Sequence, residues 1–214
     1  MAEHTLGLLL TMSRRIHLSR ERVLGRVPAG TSVRGWELAG KTIGIVGVGR
    51  IGLRVARLAQ ALGMRVVAAD PQSPDEGVIT CELDELLAEA HVVSLHLPHD
   101  YEGRSLLRRP ELAAMRPGAL LLNTSRAALV DEEAVVALVA GGHLGGYAVD
   151  DRLSDRSAAA PLVAQGRILE TGHTAWYSNE ALERGIETWV DNVVALARGR
   201  PRNLVTRLAH HVGV

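Results

Sequence analysis

Thr42-Ile-Gly-Ile-Val-Gly47-Val-Gly49-Arg50-Ile51-Gly52 decides the fold. Its first half is a short, uniformly apolar run, as a strand buried on both faces requires. Its second half is G-x-G-x-x-G, placed between that strand and a predicted helix at 50–62. Strand before and helix after give the motif its meaning. Gly47 permits the tight turn, Gly49 lets a pyrophosphate approach the backbone, and Gly52 lets helix and strand pack closely. The free N–H groups that open the helix, at Arg50, Ile51 and Gly52, are the anion site. A second predicted strand at 64–69 ends at Asp70, eighteen residues beyond Gly52. An acid there accepts hydrogen bonds from the adenosine ribose and repels a 2′-phosphate. Pro71 and Gln72 follow, with no arginine to welcome that phosphate. The ligand read from these residues is NAD(H) rather than its 2′-phosphorylated form.

Outward from this stretch, strands and helices alternate. The pattern predicts a helix at 82–90, a strand at 92–97, a helix near 109–115 and a strand at 119–123. A helix at 131–140 and strands at 146–149 and 167–171 follow, and a long helix at 178–198 closes the series. Such alternation means a parallel sheet covered on both faces, a Rossmann-type doubly wound α/β domain. Before it, residues 3–25 read as mostly helical and 26–40 as an extended arm. The division is 1–40 for helix and arm, 41–204 for the single dinucleotide-binding domain and 205–214 for a tail.

Composition narrows the function. Of 214 residues, 24 are Lys or Arg and 24 are Asp or Glu, so the net charge is zero. With three tryptophans, three tyrosines and no phenylalanine, nothing suggests nucleic acid as a partner. The apolar run Leu6–Leu10 is too short for a membrane span and lacks the order of a signal peptide. The lone cysteine, Cys81, cannot form an intramolecular disulfide or a thiolate metal cluster, which fits a reducing, cytoplasmic compartment. No metal site is expected: His210-His211 reads as a polar tail, and His91 and His99 read as surface residues. Lys41 is the only lysine and sits just before a buried strand. That disfavours mechanisms built on a catalytic lysine, and no Tyr-x-x-x-Lys exists.

Several further segments carry a resemblance. Ser94-Leu-His96-Leu97-Pro98, Asn123-Thr124-Ser-Arg126, Val130-Asp-Glu-Glu-Ala134, Ala148-Val-Asp150 and Thr171-Gly-His173 occur in order. Together with the glycine loop they resemble the D-isomer-specific 2-hydroxyacid dehydrogenases, from about Ala2 to about Leu204, over the cofactor domain only. His173-Thr-Ala-Trp176-Tyr-Ser178 is similar to a segment of the C-terminal-binding protein branch, whose members are NAD(H)-binding corepressors, and bacterial enzymes share it.

The resemblance implies hydride transfer between NAD(H) and a 2-oxo or 2-hydroxy acid. That reaction needs a cation for the carboxylate and a proton donor near neutrality at the oxygen. The resemblance assigns Arg126 to the first task and His173 to the second. It places His96, Leu97, Pro98 and Thr124 beside the cofactor. Asp150 stands either by the nicotinamide carboxamide or as a strand-end cap. The family's glutamate five residues after Asp150 is replaced by Asp155, which either orients His173 or is a solvated loop acid. Trp176 either lines the substrate pocket or packs the domain. Gly172 stands where the family has proline, and Ala127 and Ala128 where it has glycines.

Family members begin with roughly a hundred residues that form most of a substrate domain, whereas Met1 falls at the start of the interdomain helix. The chain is therefore a fragment, half of a pair whose partner chain supplies the substrate domain, or a module that binds NAD(H) without catalysis. The resemblance makes the helix at 3–25 and the arm at 26–40 the dimer contact of relatives, and their many apolar residues predict a homodimer. Two functions follow: an NAD-dependent oxidoreductase, or a dimeric NAD(H)-responsive scaffold.

Overall fold

The computed structural model describes residues 1–71, 78–98 and 105–204. Gln72, His99, His210, His211 and the tail 205–214 lie outside the described residues. Two compact units emerge, Met1–Ala175 and Trp176 onward.

The first unit holds seven parallel strands: β1 (Thr42–Val46), β2 (Arg65–Ala69), β3 (Ile79–Thr80), β4 (Val92–Leu95), β5 (Leu120–Asn123), β6 (Gly146–Val149) and β7 (Ile168–Glu170). Their order is β3-β2-β1-β4-β5-β6-β7. The chain winds outward from β1 to β3, then returns to pair β4 with β1 on its other side. The strand order reverses at β1 and β4, and in such sheets ligands bind beyond the strand carboxyl ends at that point.

Apart from the exposed β3, the strands alternate between two cores. Ile43, Ile45, Val92, Leu120, Leu122 and Ala148 face one side. There they meet Leu8, Leu9 and Met12 of α1 (Ala2–Ser13) and Val55, Ala56 and Ala59 of α3 (Arg50–Ala61). Val93, Leu95, Leu121, Tyr147 and Val149 face the other side. That face is covered by α4 (Leu83–Glu89), α5 (Arg109–Ala114), α6 (Glu132–Ala140) and α7 (Arg156–Ala164). Leu121 is fully buried, so cutting it to alanine would cost about 3 kcal/mol.

The expected helix at 3–25 is two helices. α2 (Ile16–Val23) is separate because Arg15 turns left-handed at φ 54°. Its guanidinium donates to the Gly166 carbonyl at 3.1 Å, a long-range tie that helps hold the break. The arm that follows is irregular and docks through the Trp36 N–H, which donates to Ser13 O at 2.9 Å. His91 is not simply a surface residue, since it is half-buried and its Nδ1 accepts from the Thr42 N–H. Three elements were not anticipated: the two-residue β3, the short 3-10 helix Ala127–Leu129, and helix α7, which carries Pro161 within it.

The second unit is built on α8 (Asn179–Ala197), capped by Ser178 Oγ accepting from Ala181 N at 3.3 Å. No described helix is long and apolar enough to cross a membrane. No group of three or more metal-binding side chains occurs among the described residues.

Candidate active site

Beyond β1 the glycine loop has the shape its sequence demands. Gly47 lies at φ +91°, and a Cβ there would stand 2.7 Å from the His96 carbonyl oxygen. Gly52 faces the Gly47 carbonyl so closely that any Cβ would collide with it. Gly49 is the N-cap of α3, and a Cβ there would meet open space. The first N–H groups of α3 have no intrahelical acceptor, and no side chain caps them. An open approach to bare helix N–H groups fits a pyrophosphate.

Asp70 closes the end of β2. Its Oδ2 accepts from the Val48 N–H at 2.6 Å, so the acid also pins the glycine loop. Beside it lies a cleft of about 360 Å³ lined by Val46, Ala69, Asp70, Pro71, Cys81, Glu82, Leu83, Leu97 and Leu106. An apolar slot with a carboxylate at its rim suits an adenosine. A second cleft of about 370 Å³ is lined by Met1, Ile51, His96, Leu97, Pro98, Ser125 and Arg126. It lies where β4 and β5 end, next to the start of α3.

The loop bearing Arg126 is fixed from below. Buried Asn123 donates through Nδ2 to the Arg126 carbonyl at 2.8 Å and accepts from the Ser125 N–H at 3.1 Å. Ser125 Oγ donates to Leu95 O on the neighbouring strand. The exposed Arg126 guanidinium donates to the Ser125 carbonyl at 2.8 Å. His96 pairs with Ser94 Oγ through Nε2 at 2.9 Å. Desolvation pushes its pKa down to about 4, so the ring is neutral at pH 7.

The loop after β7 is organised by Asp150. Its buried carboxylate accepts from Thr171 Oγ1 at 2.7 Å, Thr174 N at 2.8 Å and Ala175 N at 2.7 Å. Burial pushes its pKa up, but these hydrogen bonds and nearby His4 outweigh burial and hold it below the usual value. Between those anchors Gly172 and His173 are both left-handed, at φ +63° and +65°. A left-handed non-glycine residue is strained, and such strain persists only where the surroundings enforce it. His173 itself is exposed.

Residues 6–175 match the family described as D-isomer specific 2-hydroxyacid dehydrogenase, NAD binding domain. The chain belongs to that family. A 2-hydroxyacid dehydrogenase homolog of Haemophilus influenzae is 31% identical over 218 residues, covering 94% of this chain and 66% of its own. The crystal structure of the TT0316 protein from Thermus thermophilus superposes with TM-score 0.85 at 39% identity, covering 96% of this chain and 67% of that one. The D-lactate dehydrogenase of Aquifex aeolicus, complexed with NAD and lactic acid, gives TM-score 0.84 at 30% identity, covering 93% and 66%. The chain thus spans about two thirds or less of the length of the curated relatives it matches.

Within this family domain, the structure brings Gly47, Gly49, Arg50, Ile51, Gly52, Asp70, His96, Leu97 and Pro98 to the switch point, with Arg126 beside them. Thr124 is buried, and its hydroxyl is engaged with Thr5 Oγ1 at 2.9 Å. Asp155 caps α7: its Oδ1 accepts from Ser157 N, Ser157 Oγ and Ala158 N. Trp176 belongs to the second unit and stacks edge-on against Tyr177 at 5.2 Å.

Several residues around these clefts and loops escape sequence reasoning. Cys81 and Leu106 line the cleft beside Asp70 from loops with no motif. His4, on α1, reaches Thr171 across 167 residues of sequence, a pairing that no local pattern signals.

Proposed function

We propose that this chain is the cofactor half of an NAD-dependent D-2-hydroxyacid dehydrogenase, interconverting a 2-oxo acid and its 2-hydroxy acid. One observation carries the reading. Arg126 and the turn 96–98 line one cleft beyond the carboxyl ends of β4 and β5, and the Asp150-anchored loop carries His173 beyond the carboxyl end of β7, on the same end of the parallel sheet. Bound NADH supplies a hydride for the carbonyl carbon. The Arg126 fork holds the substrate carboxylate. His173 donates its proton to the carbonyl oxygen as that carbon is reduced, and takes it back in the reverse direction. Asp150 is assigned to fixing the loop rather than to the nicotinamide carboxamide, because both of its oxygens are taken by loop donors. Asp155 is assigned to capping α7 rather than to orienting His173, because its Oδ1 already serves three donors. Asp70 favours NAD(H) by repelling a 2′-phosphate. The segment 173–178 supports membership of the C-terminal-binding protein-like branch, and lone Cys81 suits a reducing, cytoplasmic location.

The test is NADH oxidation with a panel of 2-oxo acids, beside a His173→Gln control. Turnover that the control lacks supports the assignment, and equal rates in both proteins refute it.

A second reading has its own observation. α2 leaves Ile16, Val23 and Leu24 exposed at 53%, 84% and 46%, a face suited to a homodimer that responds to NAD(H). NADH-dependent dimerisation that survives His173→Gln, without turnover, would favour that scaffold. A separate chain supplying the substrate domain is the remaining partner proposal.

A further inference from the structure

We infer that His4 is a positioning residue for the loop that carries His173. His4 sits on the first turn of α1, half-buried, with Nε2 3.0 Å from Thr171 Oγ1 and 3.7 Å from Asp150 Oδ1. The Thr171 hydroxyl has a single proton and donates it to Asp150 Oδ1. His4 must therefore donate its Nε2–H to Thr171, so the direction of the chain is set: His4 to Thr171 to Asp150. At its far end Asp150 receives Thr174 N and Ala175 N, the two groups that close the loop immediately after His173. Thr174 Oγ1 adds a bond back to Thr171 O at 2.8 Å.

This relay explains how the loop bears two successive left-handed residues. Without the His4 donor, Thr171 Oγ1 loses the one donor it has among the described residues, and its bond to Asp150 Oδ1 alone holds the hydroxyl in place. The carboxylate can then turn, and the Thr174 and Ala175 anchors weaken together. His4 touches neither cofactor nor substrate in this arrangement and acts through Thr171 and Asp150. It also joins α1 to the end of β7, so the first helix of the chain bears directly on the geometry of the proposed acid.

The effect on turnover rests on the proposed function, whereas the effect on the loop does not. Two variants separate donor from bulk: His4→Gln keeps an N–H near the Nε2 position, and His4→Phe fills the space without one. The readouts on the purified chain are hydrogen exchange at the Thr174 and Ala175 amides, the ring signals of His173, and kcat and KM for a 2-oxo acid. With Phe, exchange at both amides should rise about tenfold, as loss of one charge-linked hydrogen bond implies, and the His173 signals should move. Any turnover should fall in kcat more than in KM. Gln should restore all three towards wild type, which simple packing at this position would not do. If the Phe variant fails to fold, Thr171→Val breaks the same relay from its middle and should give the same exchange pattern. Protected amides and unmoved His173 signals in Phe or Val overturn the inference, as does a Gln variant that behaves like Phe. Absent turnover in every protein, with the exchange pattern as expected, would count against the proposed function and leave the relay standing.

Discussion

Replacing His96 by glutamine changes how the stability of this domain depends on pH, and the size of the change follows from the burial of one ring. Desolvation lowers the His96 pKa from 6.5 to about 4. Between those values the unfolded chain binds a proton that the folded domain refuses, so stability falls as the solution is acidified. The contribution is complete above pH 6.5, declines as pH drops towards 4, and changes no further below that. At about 1.4 kcal/mol per pK unit the full loss is about 3 kcal/mol, of which about 2 kcal/mol is gone by pH 5. The glutamine variant keeps a polar group for Ser94 Oγ but has nothing to titrate. Urea unfolding of both proteins at pH 7 and pH 5 reads the effect as a difference of differences. This cancels the contributions of His4 and His91, whose pKa values are also lowered, first of all by burial. The wild type should lose about 2 kcal/mol more than the variant over that interval. Parallel losses would show that the folded domain solvates the charged ring as well as the unfolded chain does, and would refute the picture of a desolvated, neutral His96 beside the cleft.

Asp150→Asn replaces one of two acceptor oxygens with a donor facing other donors. It should cost about 3 kcal/mol at pH 7 by chemical denaturation. Because the folded Asp150 pKa is lowered, that gap should hold at neutral pH and shrink as pH falls through it. A cost under about 0.5 kcal/mol would mean the loop is held otherwise. Gly49→Ala and Gly52→Ala should behave differently. The first meets open space, so it should leave the melting temperature unchanged while weakening NADH binding at least about tenfold, or about 1.4 kcal/mol. The second collides with the Gly47 carbonyl and should lower both, as calorimetry on the two variants would record. A Gly49→Ala protein that binds NADH like wild type would contradict the phosphate-loop assignment.

Much of the fold was legible because its strands are uniform apolar runs separated by amphipathic helices. β6 falls where it was expected, and β1, β2, β4, β5 and β7 fall within two residues of their expected ends. The break at Arg15 was not legible, since arginine is an ordinary helix former and the left-handed turn is tied to Gly166, 151 residues away. α7 was hidden by Pro161 and an alanine run with no apolar period. The Asp155-Arg-Ser sequence does carry an N-cap signal, and family spacing pointed instead to chemistry. The glycine loop and Asp70 were readable from physics alone. Arg126 and His173 were readable only through resemblance, because isolated basic residues at loop starts carry no pattern of their own. His4 was out of reach because its meaning lies in a contact with the opposite end of the domain.

The most direct test of the account is the fate of a labelled hydride. The chain is incubated with NADH carrying deuterium at both C4 positions and a 2-oxo acid, and the product is analysed by mass spectrometry. Deuterium at C2 of the resulting 2-hydroxy acid, lost in His173→Gln while NADH binding persists, is the predicted result. Unlabelled product, or label transferred equally well without His173, would contradict it.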